Sequence, residues 1–512
     1  SKPSWQQWPD IILPLISSFS CRNSDQIFIM GMAAYRLGFH RLRHTLSGFQ
    51  SVAMESAAIK VAAETEPLQM HPRSTLDLSD TQKLFSCVPT STLLRSTINL
   101  QLASMDKIVD LGVCVMNSRV MTSHEHRDSW IRKLMLGVLK HTFFEHFCAG
   151  ENTSEAMQCL GRLSNTGLRG MLDFAIEFAP DGESCDQNFD LFMETIEHSS
   201  SSSASVSCVV VKITALYPLH LLERISDLLR WQHKQASFQL PWRENNFPIF
   251  SDRSPLYHTP KEPPALSPGE EKELFLGWTR FSKLCQRCAE VNIPLVVDAE
   301  HTQVQPAIDY VTYSAAIAYN KEDRTVVYNT IQAYLKDAEE RLLLATKASE
   351  KMGVQMGFKL VRGAYMTTER KVAKGLNCQS PIHNSVYETH ACYNACASFL
   401  LEKISAGAGA AILATHNVES GRLAAIKAHD LGIGKDGSKL EFAQLYGMAD
   451  ALSFGLKNAG FQVSKYMPYG PVDTVIPYLI RRAEENRGML SSSRLDRELM
   501  RKELKRRLRE AF

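Results

Sequence analysis

The sequence predicts an α/β fold, a (β/α)8 TIM-like barrel preceded by an N-terminal helical region. After Gly161, eight short apolar runs alternate with longer helix-forming stretches, which is typical of such a barrel. Up to about residue 150, apolar residues instead recur at spacings of three and four, as in helices. No Gly-x-Gly-x-x-Gly turn follows a predicted strand, and a Rossmann domain would require one.

The N-terminal helical region is predicted to span residues 1–159. Its clearest amphipathic stretches are Asp106–Met116 and Trp130–Leu139, and it contains no catalytic pattern. His141-Thr-Phe-Phe-Glu-His146 resembles an inverted zinc-protease motif, but it has one residue too many between the first His and Glu. We therefore interpret that segment as a core helix with polar edges.

The barrel is predicted to span residues 160–490, with the Pro-rich segment 232–269 as a probable loop insertion before the third strand. A polyserine tip, Ser199–Ser203, precedes the second strand. Residues 491–512 are predicted to form a charged helix that caps the barrel, with contact to acidic lipid as the alternative. The predicted strands are Gly170–Ile176, Val206–Thr214, Ile293–Asp298, Thr325–Gln332, Phe358–Val361, Ala410–Ala414, Leu440–Gln444 and Val463–Tyr466.

The composition is that of a globular protein without a strong charge bias. The 512 residues are 44% hydrophobic and 22% charged, and the net charge of +2 gives no electrostatic case for nucleic-acid binding. Ile11–Phe19 is too short to span a membrane and contains a proline. The 12 cysteines are scattered as in a reduced intracellular protein. Cys285 and Cys288 form a Cys-x-x-Cys without a second pair nearby, so no metal site is expected.

Polar side chains follow or interrupt most of the apolar runs. In a parallel barrel the active site lies at the carboxyl ends of the strands, so these side chains should converge on one face. Any one of them alone is more readily explained as a structural residue. The set is mostly cationic, which favours an anionic ligand and a phosphate-bearing cofactor. Its members are Lys212, Asp298, Gln332, Lys359, Arg362, Thr415, His416, Asn417 and Tyr466.

Two adjacent arginines, Arg481 and Arg482, lie in an apolar run near the end of the predicted barrel. Buried guanidinium groups need an anion, and Glu485 can neutralise only part of their charge on a helix. A planar guanidinium fork suits a carboxylate ligand. The alternative is a solvated helix face with weak surface ion pairs.

Four motifs at these positions resemble the signature of the FAD-dependent proline dehydrogenase family. The similarity runs from about Leu160 to Leu490 in the same strand order, and Phe442–Leu456 and Glu485–Met489 look most like the plant mitochondrial members. The motifs are Lys359-Leu-Val-Arg-Gly-Ala-Tyr-Met366, Ala414-Thr-His-Asn417, Gln444-Leu-Tyr-Gly-Met448 and Tyr466 with Arg481-Arg-Ala-Glu-Glu-Asn486.

The resemblance implies a role for each site residue. Asp298 and Tyr365 are the implied catalytic residues, with Asp298 holding Arg481 in place. Bacterial members have an arginine at the position of Lys359. The amine of Lys359 can still donate a hydrogen bond to the flavin, but it is a point charge without the guanidinium fork. The residues implied to bind substrate are Lys212, Leu445, Tyr466, Arg481 and Arg482. The residues implied to contact FAD are Gln332, Lys359, Val361, Arg362, Gly363, Ala364, His416, Asn417 and Glu485.

The implied reaction is oxidation of L-proline to Δ1-pyrroline-5-carboxylate, by hydride transfer from C5 to FAD N5 with electrons passed to a quinone. It needs no metal and no protein nucleophile. The resemblance further implies a mitochondrial enzyme on the matrix side of the inner membrane, with a peripheral membrane contact. Because only about 22 residues follow Leu490, we expect a monofunctional chain without an appended aldehyde dehydrogenase domain.

Three other functions fit parts of the sequence less well. A hydroxyproline dehydrogenase of the same fold is the nearest alternative, but relatives that accept hydroxyproline carry a small residue at the position of Tyr466. A catalytically inactive scaffold is disfavoured because the arginine pair, Asp298 and the His416–Asn417 pair are all present. A metal-dependent hydrolase is disfavoured because no predicted strand ends in a His-x-His or a paired-carboxylate ligand set.

Overall fold

The structure is a computed structural model, and it covers the barrel and the helices next to it. It describes residues 76–116, 118, 129–321, 324–434, 439–488 and 490–511. Within these ranges, the side chains of residues 106–108, 111 and 484–493 are not described.

Eight parallel strands form a closed barrel in which each strand pairs with the next and β8 pairs with β1. This confirms the predicted fold class. The strands are β1 (Arg169–Phe174), β2 (Val206–Val211), β3 (Leu295–Val297), β4 (Val327–Gln332), β5 (Gly357–Val361), β6 (Ala410–Ala414), β7 (Leu440–Leu445) and β8 (Val463–Tyr469).

The strands are apolar on both faces because helices cover the outside of the barrel and side chains fill its inside. All six residues of β2 are buried, for example, and four of them are valines. A cluster inside the barrel includes Met171, Val210 and Ile412. A larger cluster joins the outer faces of the strands to the helices.

The helices alternate with the strands from β1 onward. Ser267 and Ser385 begin two of the longest with capping boxes, in which the serine and a glutamate three residues later satisfy each other's backbone N–H groups. The helices are α1 (Thr81–Leu84), α2 (Thr90–Leu102), α3 (Asp106–Met116), α4 (Trp130–Leu139), α5 (Glu145–Phe147), α6 (Thr153–Ser164), α7 (Gly182–Ser200), α8 (Leu219–Lys234), α9 (Pro268–Glu290), α10 (Gln305–Tyr319), α11 (Ala338–Met352), α12 (Met366–Gly375), α13 (Val386–Ser405), α14 (Val418–Asp430), α15 (Asp450–Asn458), α16 (Ile476–Gly488) and α17 (Leu490–Ala511).

The charged helix α17 packs against α1, α2 and α15. Arg507 donates hydrogen bonds to the carbonyl oxygens of Phe85 and Val88. Asp496 accepts hydrogen bonds from the first two backbone N–H groups of α15, at 3.1 and 2.9 Å. Its carboxylate therefore satisfies donors that have no partner within that helix. None of the helices in the described ranges is long and apolar enough to cross a membrane.

Candidate active site

Five buried or partly buried side chains meet inside the carboxyl end of the barrel and are called the charge cluster: Asp173, Lys212, Asp298, Lys359 and Tyr466. Lys212 Nζ lies 3.0 and 3.1 Å from the two carboxylate oxygens of Asp173 and 3.3 Å from Asp298 Oδ2. Lys359 forms an ion pair with Asp298 Oδ1. The two ammonium groups thus balance the two carboxylates.

The charges of this cluster survive burial because they lie beside opposite charges. Burial raises the pKa of Asp173, and Lys212 acts in the opposite direction. Burial also acts to raise the pKa of Asp298, but Lys359 and Lys212 outweigh it and hold that pKa well below its ordinary value. Burial acts to lower the pKa of Lys212, and the two aspartates more than offset it. Lys212 is therefore a cation and Asp298 an anion at neutral pH.

Tyr466 joins the two carboxylates. Its hydroxyl oxygen lies 2.7 Å from Asp173 Oδ2, 2.7 Å from Asp298 Oδ2 and 3.3 Å from Lys212 Nζ. A phenol carries one proton, so it can donate to only one carboxylate at a time. The opposite pKa shifts of the two aspartates make Asp173 the one that protonates more readily. These contacts fix the ring at the base of the site.

Arg481 and Arg482 enter the same region from α16, and both side chains are largely removed from solvent. Arg481 donates to Glu177 from Nη2 to Oε1 at 2.6 Å and from Nη1 to Oε2 at 3.3 Å. Its guanidinium carbon lies 5.4 Å from the centre of the Tyr365 ring. The guanidinium carbon of Arg482 lies 4.8 Å from the ring centre of Tyr478.

The expected pairing of Asp298 with Arg481 is wrong in this structure. Lys359, Lys212 and Tyr466 occupy the oxygens of Asp298. The carboxylate that faces Arg481 belongs to Glu177, in the loop that follows β1. Glu485 lies in α16 among the residues whose side chains are not described, so its expected role stays a prediction.

His416 and Leu445 are linked at the ends of β6 and β7. The backbone N–H of Leu445 donates to His416 Nε2 at 3.0 Å. Burial, assisted by Lys465, lowers the pKa of His416 to about 3, so the ring is neutral at neutral pH. Because Nε2 accepts this bond, the ring proton is assigned to Nδ1, which can donate to a ligand.

Arg362 lies in a second polar group beside the barrel end, and the described contacts of its guanidinium are all to neutral side chains. It donates to His390 Nδ1 at 3.1 Å, Thr415 Oγ1 at 2.6 Å and Ser420 Oγ at 2.8 Å. Its guanidinium carbon also lies 4.3 Å from the centre of the Tyr393 ring. No carboxylate forms an ion pair with Arg362 in the described part of the chain, and burial lowers its pKa.

The backbone next to Arg362 packs closely against the ring of Tyr334. Gly363 has a φ of +132°, and a Cβ there would lie 2.5 Å from the Tyr334 ring. Asn417 begins α14, where its side chain accepts the backbone N–H of Ser420 at 2.9 Å. A helix N-terminus next to a cation attracts anions. Val361 and Ala364 lie on either side of the Arg362–Gly363 pair.

Glu300 is a buried acid close to the charge cluster. Its side chain is 0% exposed, and its two carboxylate oxygens lie 3.0 and 2.8 Å from Thr214 Oγ1. Burial, and to a smaller extent the negative charge of Glu177, raises the pKa of Glu300 to about 8, so Glu300 is mostly protonated at neutral pH. Gln332 donates to its backbone carbonyl at 2.8 Å, so β3 and β4 are tied together at this end of the barrel.

Several residues of this region were not among the sequence candidates. Asp173 interrupts the apolar run of β1 as Lys212 interrupts that of β2, so the same rule could have identified it. Glu177 lies in a loop, and His390 and Tyr393 lie in α13. No strand-end pattern marks those three positions.

The chain is similar to known proteins over most of its length. The family model described as "Proline dehydrogenase" matches residues 156–495. The chain is 57% identical over 444 residues to "Proline dehydrogenase 2, mitochondrial" of Arabidopsis thaliana, covering 86% of this chain and 92% of that protein. It is 51% identical over 499 residues to "Proline dehydrogenase 1, mitochondrial" of the same plant, covering 94% and 99%.

Solved structures share the fold. One is proline utilization A from Bdellovibrio bacteriovorus inactivated by N-propargylglycine, with a TM-score of 0.57 and 20% identity. The similarity covers 82% of this chain but 43% of that one, so the chain spans less than half of that longer protein.

Proposed function

This chain belongs to the proline dehydrogenase family and is an oxidoreductase, and we propose that it oxidises L-proline to Δ1-pyrroline-5-carboxylate with FAD as its redox cofactor. The observation that carries the proposal is the pair Arg481 and Arg482, held in a largely buried position at the barrel end that contains Lys212. Three cations around one site suit a small carboxylate substrate.

The residues present fit a flavin dinucleotide. Arg362 is a partly buried cation whose described hydrogen-bond partners are neutral, next to the N-terminus of α14, which is the setting that a phosphate anion favours. Because Gly363 has no side chain, the backbone can pass close to the Tyr334 ring there. We propose that Arg362, Gly363, Ala364, His416 and Asn417 hold the cofactor. The remaining proposed contacts come from Gln332, Lys359, Val361 and Glu485.

The substrate would be bound by its carboxylate and by its ring. Lys212, Arg481 and Arg482 supply charge-assisted hydrogen bonds to the carboxylate. Tyr365, Leu445 and Tyr466 line the space for the pyrrolidine ring. The surrounding cations lower the pKa of the substrate ammonium, so that the neutral amine required for oxidation is favoured.

A bound flavin supplies the hydride acceptor, which no amino-acid side chain provides. The chain's own contribution is orientation, because fixing the carboxylate fixes the position of C5. Lys359 is held by Asp298 and lies 5.3 Å from the ring centre of Tyr466. We therefore propose that Lys359 contributes a localised positive charge and also anchors Asp298.

A hydroxyproline dehydrogenase activity is the second candidate, and the geometry of Tyr466 argues against it. The phenol is held by two aspartates, so its ring cannot easily move aside for a 4-hydroxyl group. The 4-hydroxyl group of such a substrate would clash with the ring or be left without a hydrogen-bond partner.

We propose that the enzyme is mitochondrial, on the matrix side of the inner membrane, and passes electrons to a quinone. The names of its plant relatives support the compartment. A quinone dissolves in the bilayer, so a peripheral membrane contact is part of the proposal. The helix α17 has many basic residues that anionic lipid would attract.

The proposed function can be tested with the purified flavoprotein. Anaerobic addition of L-proline should bleach the flavin absorbance, and a quinone analogue should restore it. D-Proline, which has the opposite configuration at the carbon that carries the carboxylate, is the matched control and should bleach the flavin far more slowly. A yellow protein that L-proline does not bleach would refute the proposal.

A further inference from the structure

Thr302 lies between β3 and α10 and is hydrogen-bonded to three other parts of the chain through all of its polar atoms. Its backbone N–H and its hydroxyl donate to the two carboxylate oxygens of Glu369, at 2.5 and 2.7 Å. Its carbonyl oxygen accepts from Arg230 Nη2 at 2.6 Å, and His258 Nε2 lies 2.9 Å from its hydroxyl oxygen. We call these four residues the Thr302 junction. It joins the loop after β3 to α12, to α8 and to the Pro-rich segment 232–269.

The hydrogen bonds of the Thr302 junction can all form at the same time. The hydroxyl of Thr302 carries one proton, which it donates to Glu369, so its oxygen accepts from His258. The proton of the His258 ring is therefore assigned to Nε2. Burial lowers the pKa of His258 to about 3, so at neutral pH the ring is neutral and has one such proton. Arg230 is fully buried, and its Nη2 also donates to the carbonyl oxygen of Gln303 at 2.6 Å.

Glu369 differs from the acidic residues at the start of the next two helices. Glu388 of α13 and Glu419 of α14 are exposed, and they bond to residues at most four positions away. Glu369 is 2% exposed, and both of its carboxylate oxygens bond to a residue 67 positions away. An acid in the first turn supports a helix equally well from the surface, whereas burying a carboxyl group is costly. The inward direction of Glu369 therefore serves to tie α12 to the loop after β3.

Both sides of this tie carry residues of the candidate active site. Glu369 is one helical turn after Tyr365, and its backbone N–H donates to the carbonyl oxygen of Tyr365 at 2.9 Å. Thr302 directly follows His301 and lies four residues after Asp298. The ring centres of His301 and Tyr365 are 6.1 Å apart, and the two rings are tilted by 75°. The bonds between Glu369 and Thr302 therefore help to fix the position of one ring relative to the other.

The ring of Tyr365 in turn faces the arginine that is proposed to bind the substrate carboxylate. The guanidinium carbon of Arg481 lies 5.4 Å from the centre of that ring. Tyr365 is the N-cap residue of α12, and its side chain makes no capping hydrogen bond to the helix. The position of the ring therefore depends on the backbone of the first turn, which Glu369 holds.

We propose that Glu369 and Thr302 are positioning residues, which hold Tyr365 against the substrate ring by fixing the first turn of α12. The proposal rests on the proposed function, in which Tyr365 lines the space for the pyrrolidine ring. His258 and Arg230 support Thr302 from its other side, so the Pro-rich segment contributes to the active site through His258. Orientation sets the rate of such a reaction, and a displacement of about 1 Å can lower it by about a hundredfold.

The test measures kcat/KM for L-proline in the flavin-loaded enzyme. Thr302→Val keeps the size of the side chain and removes the hydroxyl, so we expect kcat/KM to fall about tenfold. Thr302→Ser keeps both hydrogen-bond donors and should stay within about twofold of the wild type. Thr367→Val is the matched control, because Thr367 is an exposed residue in the first turn of α12. Flavin content should stay near normal in all three variants.

A double-mutant cycle separates positioning of Tyr365 from a general loss of structure. Tyr365→Ala removes the ring and should have a low kcat/KM of its own. In that background Thr302→Val should change kcat/KM by less than about twofold, because the ring that Thr302 positions is gone. A loss of about tenfold that persists in the double variant overturns the proposal. A Thr302→Val single variant with the kcat/KM of the wild type overturns it as well.

Glu369→Gln makes the same comparison from α12 and replaces Thr302→Val if that variant does not fold. Glutamine keeps the size of the side chain, but its amide nitrogen cannot accept a hydrogen bond. One of the two Thr302 donors then loses its acceptor, so we again expect a loss of about tenfold that disappears in the Tyr365→Ala background. Wild-type protein that L-proline does not bleach refutes the proposed function. Bleaching of the wild type together with unchanged kcat/KM in Glu369→Gln refutes the positioning role alone.

Discussion

Arg481 and Glu177 form a two-pronged ion pair, with hydrogen bonds of 2.6 and 3.3 Å between the guanidinium fork and the carboxylate. The fork is the feature that suits Arg481 to a carboxylate ligand, and here a carboxylate of the chain already occupies it. A substrate carboxylate must therefore share or displace Glu177 to reach Arg481.

We expect the Glu177→Gln variant to bind L-proline more tightly than the wild type. A neutral amide competes less well for the guanidinium, so the KM for proline should fall several-fold, equivalent to about 1 kcal/mol. The Glu183→Gln variant is the control, because Glu183 is an exposed residue in the first turn of α7. A higher KM in Glu177→Gln would mean that Glu177 supports the bound substrate instead of competing with it.

We expect Arg481→Met and Arg482→Met each to raise the KM for proline strongly while flavin content stays near normal. Each change removes a charge-assisted contact to the substrate carboxylate, of about 2–4 kcal/mol, or a factor of tens to hundreds. Arg494→Met is the matched control, because Arg494 is a solvent-exposed arginine paired with Glu498 on α17. It should change the KM by less than about 1 kcal/mol. Unchanged proline kinetics in both active-site variants would contradict the proposed carboxylate site.

Much of the fold could be predicted because a parallel barrel repeats one local pattern. Each strand is buried on both faces and reads as a short apolar run, and the eight predicted runs all coincide with strands. The ends of the strands are predicted less exactly, because an apolar run can continue into a turn. The run beginning at Val206 was predicted to reach Thr214, for example, but β2 ends at Val211 and a 3-10 turn follows it.

The site was predicted less completely, because ion pairs form between residues far apart in the chain. The strand-end rule identified Lys212, Asp298 and Tyr466, which the structure brings together. It gave no means of choosing which carboxylate faces Arg481, since Glu177 is 304 residues away. That choice depends on loop geometry, which apolar periodicity does not record.

We expect the stability of the wild type to fall relative to a Glu300→Gln variant as pH rises from about 5 to about 8. Burial raises the folded-state pKa of Glu300 to about 8, above its ordinary value of 4.5. Such a group contributes its full stabilisation below the unfolded-state pKa and loses it as pH rises through the folded-state pKa. Glutamine resembles the protonated form and does not titrate.

The measurement is the thermal midpoint of both proteins at several pH values in one buffer series. The midpoint of Glu300→Gln minus that of the wild type should increase with pH over this window. Glu290, an exposed residue at the end of α9, gives the control variant Glu290→Gln. If the difference for Glu300→Gln stays flat across the window, the acid is not held in its protonated form.

Two variants of Tyr466 separate the role of its ring from that of its hydroxyl. Tyr466→Ser removes the ring, so proline binding should weaken by about 1–3 kcal/mol through lost packing, while the preference for proline over trans-4-hydroxy-L-proline narrows. Tyr466→Phe keeps the ring and removes only the hydroxyl that bridges Asp173 and Asp298. It should keep the substrate preference and lower activity moderately, because the charge cluster loses a link. The measurement is kcat/KM for both substrates in all three proteins. A ratio that Tyr466→Ser leaves unchanged would show that this ring does not line the substrate site.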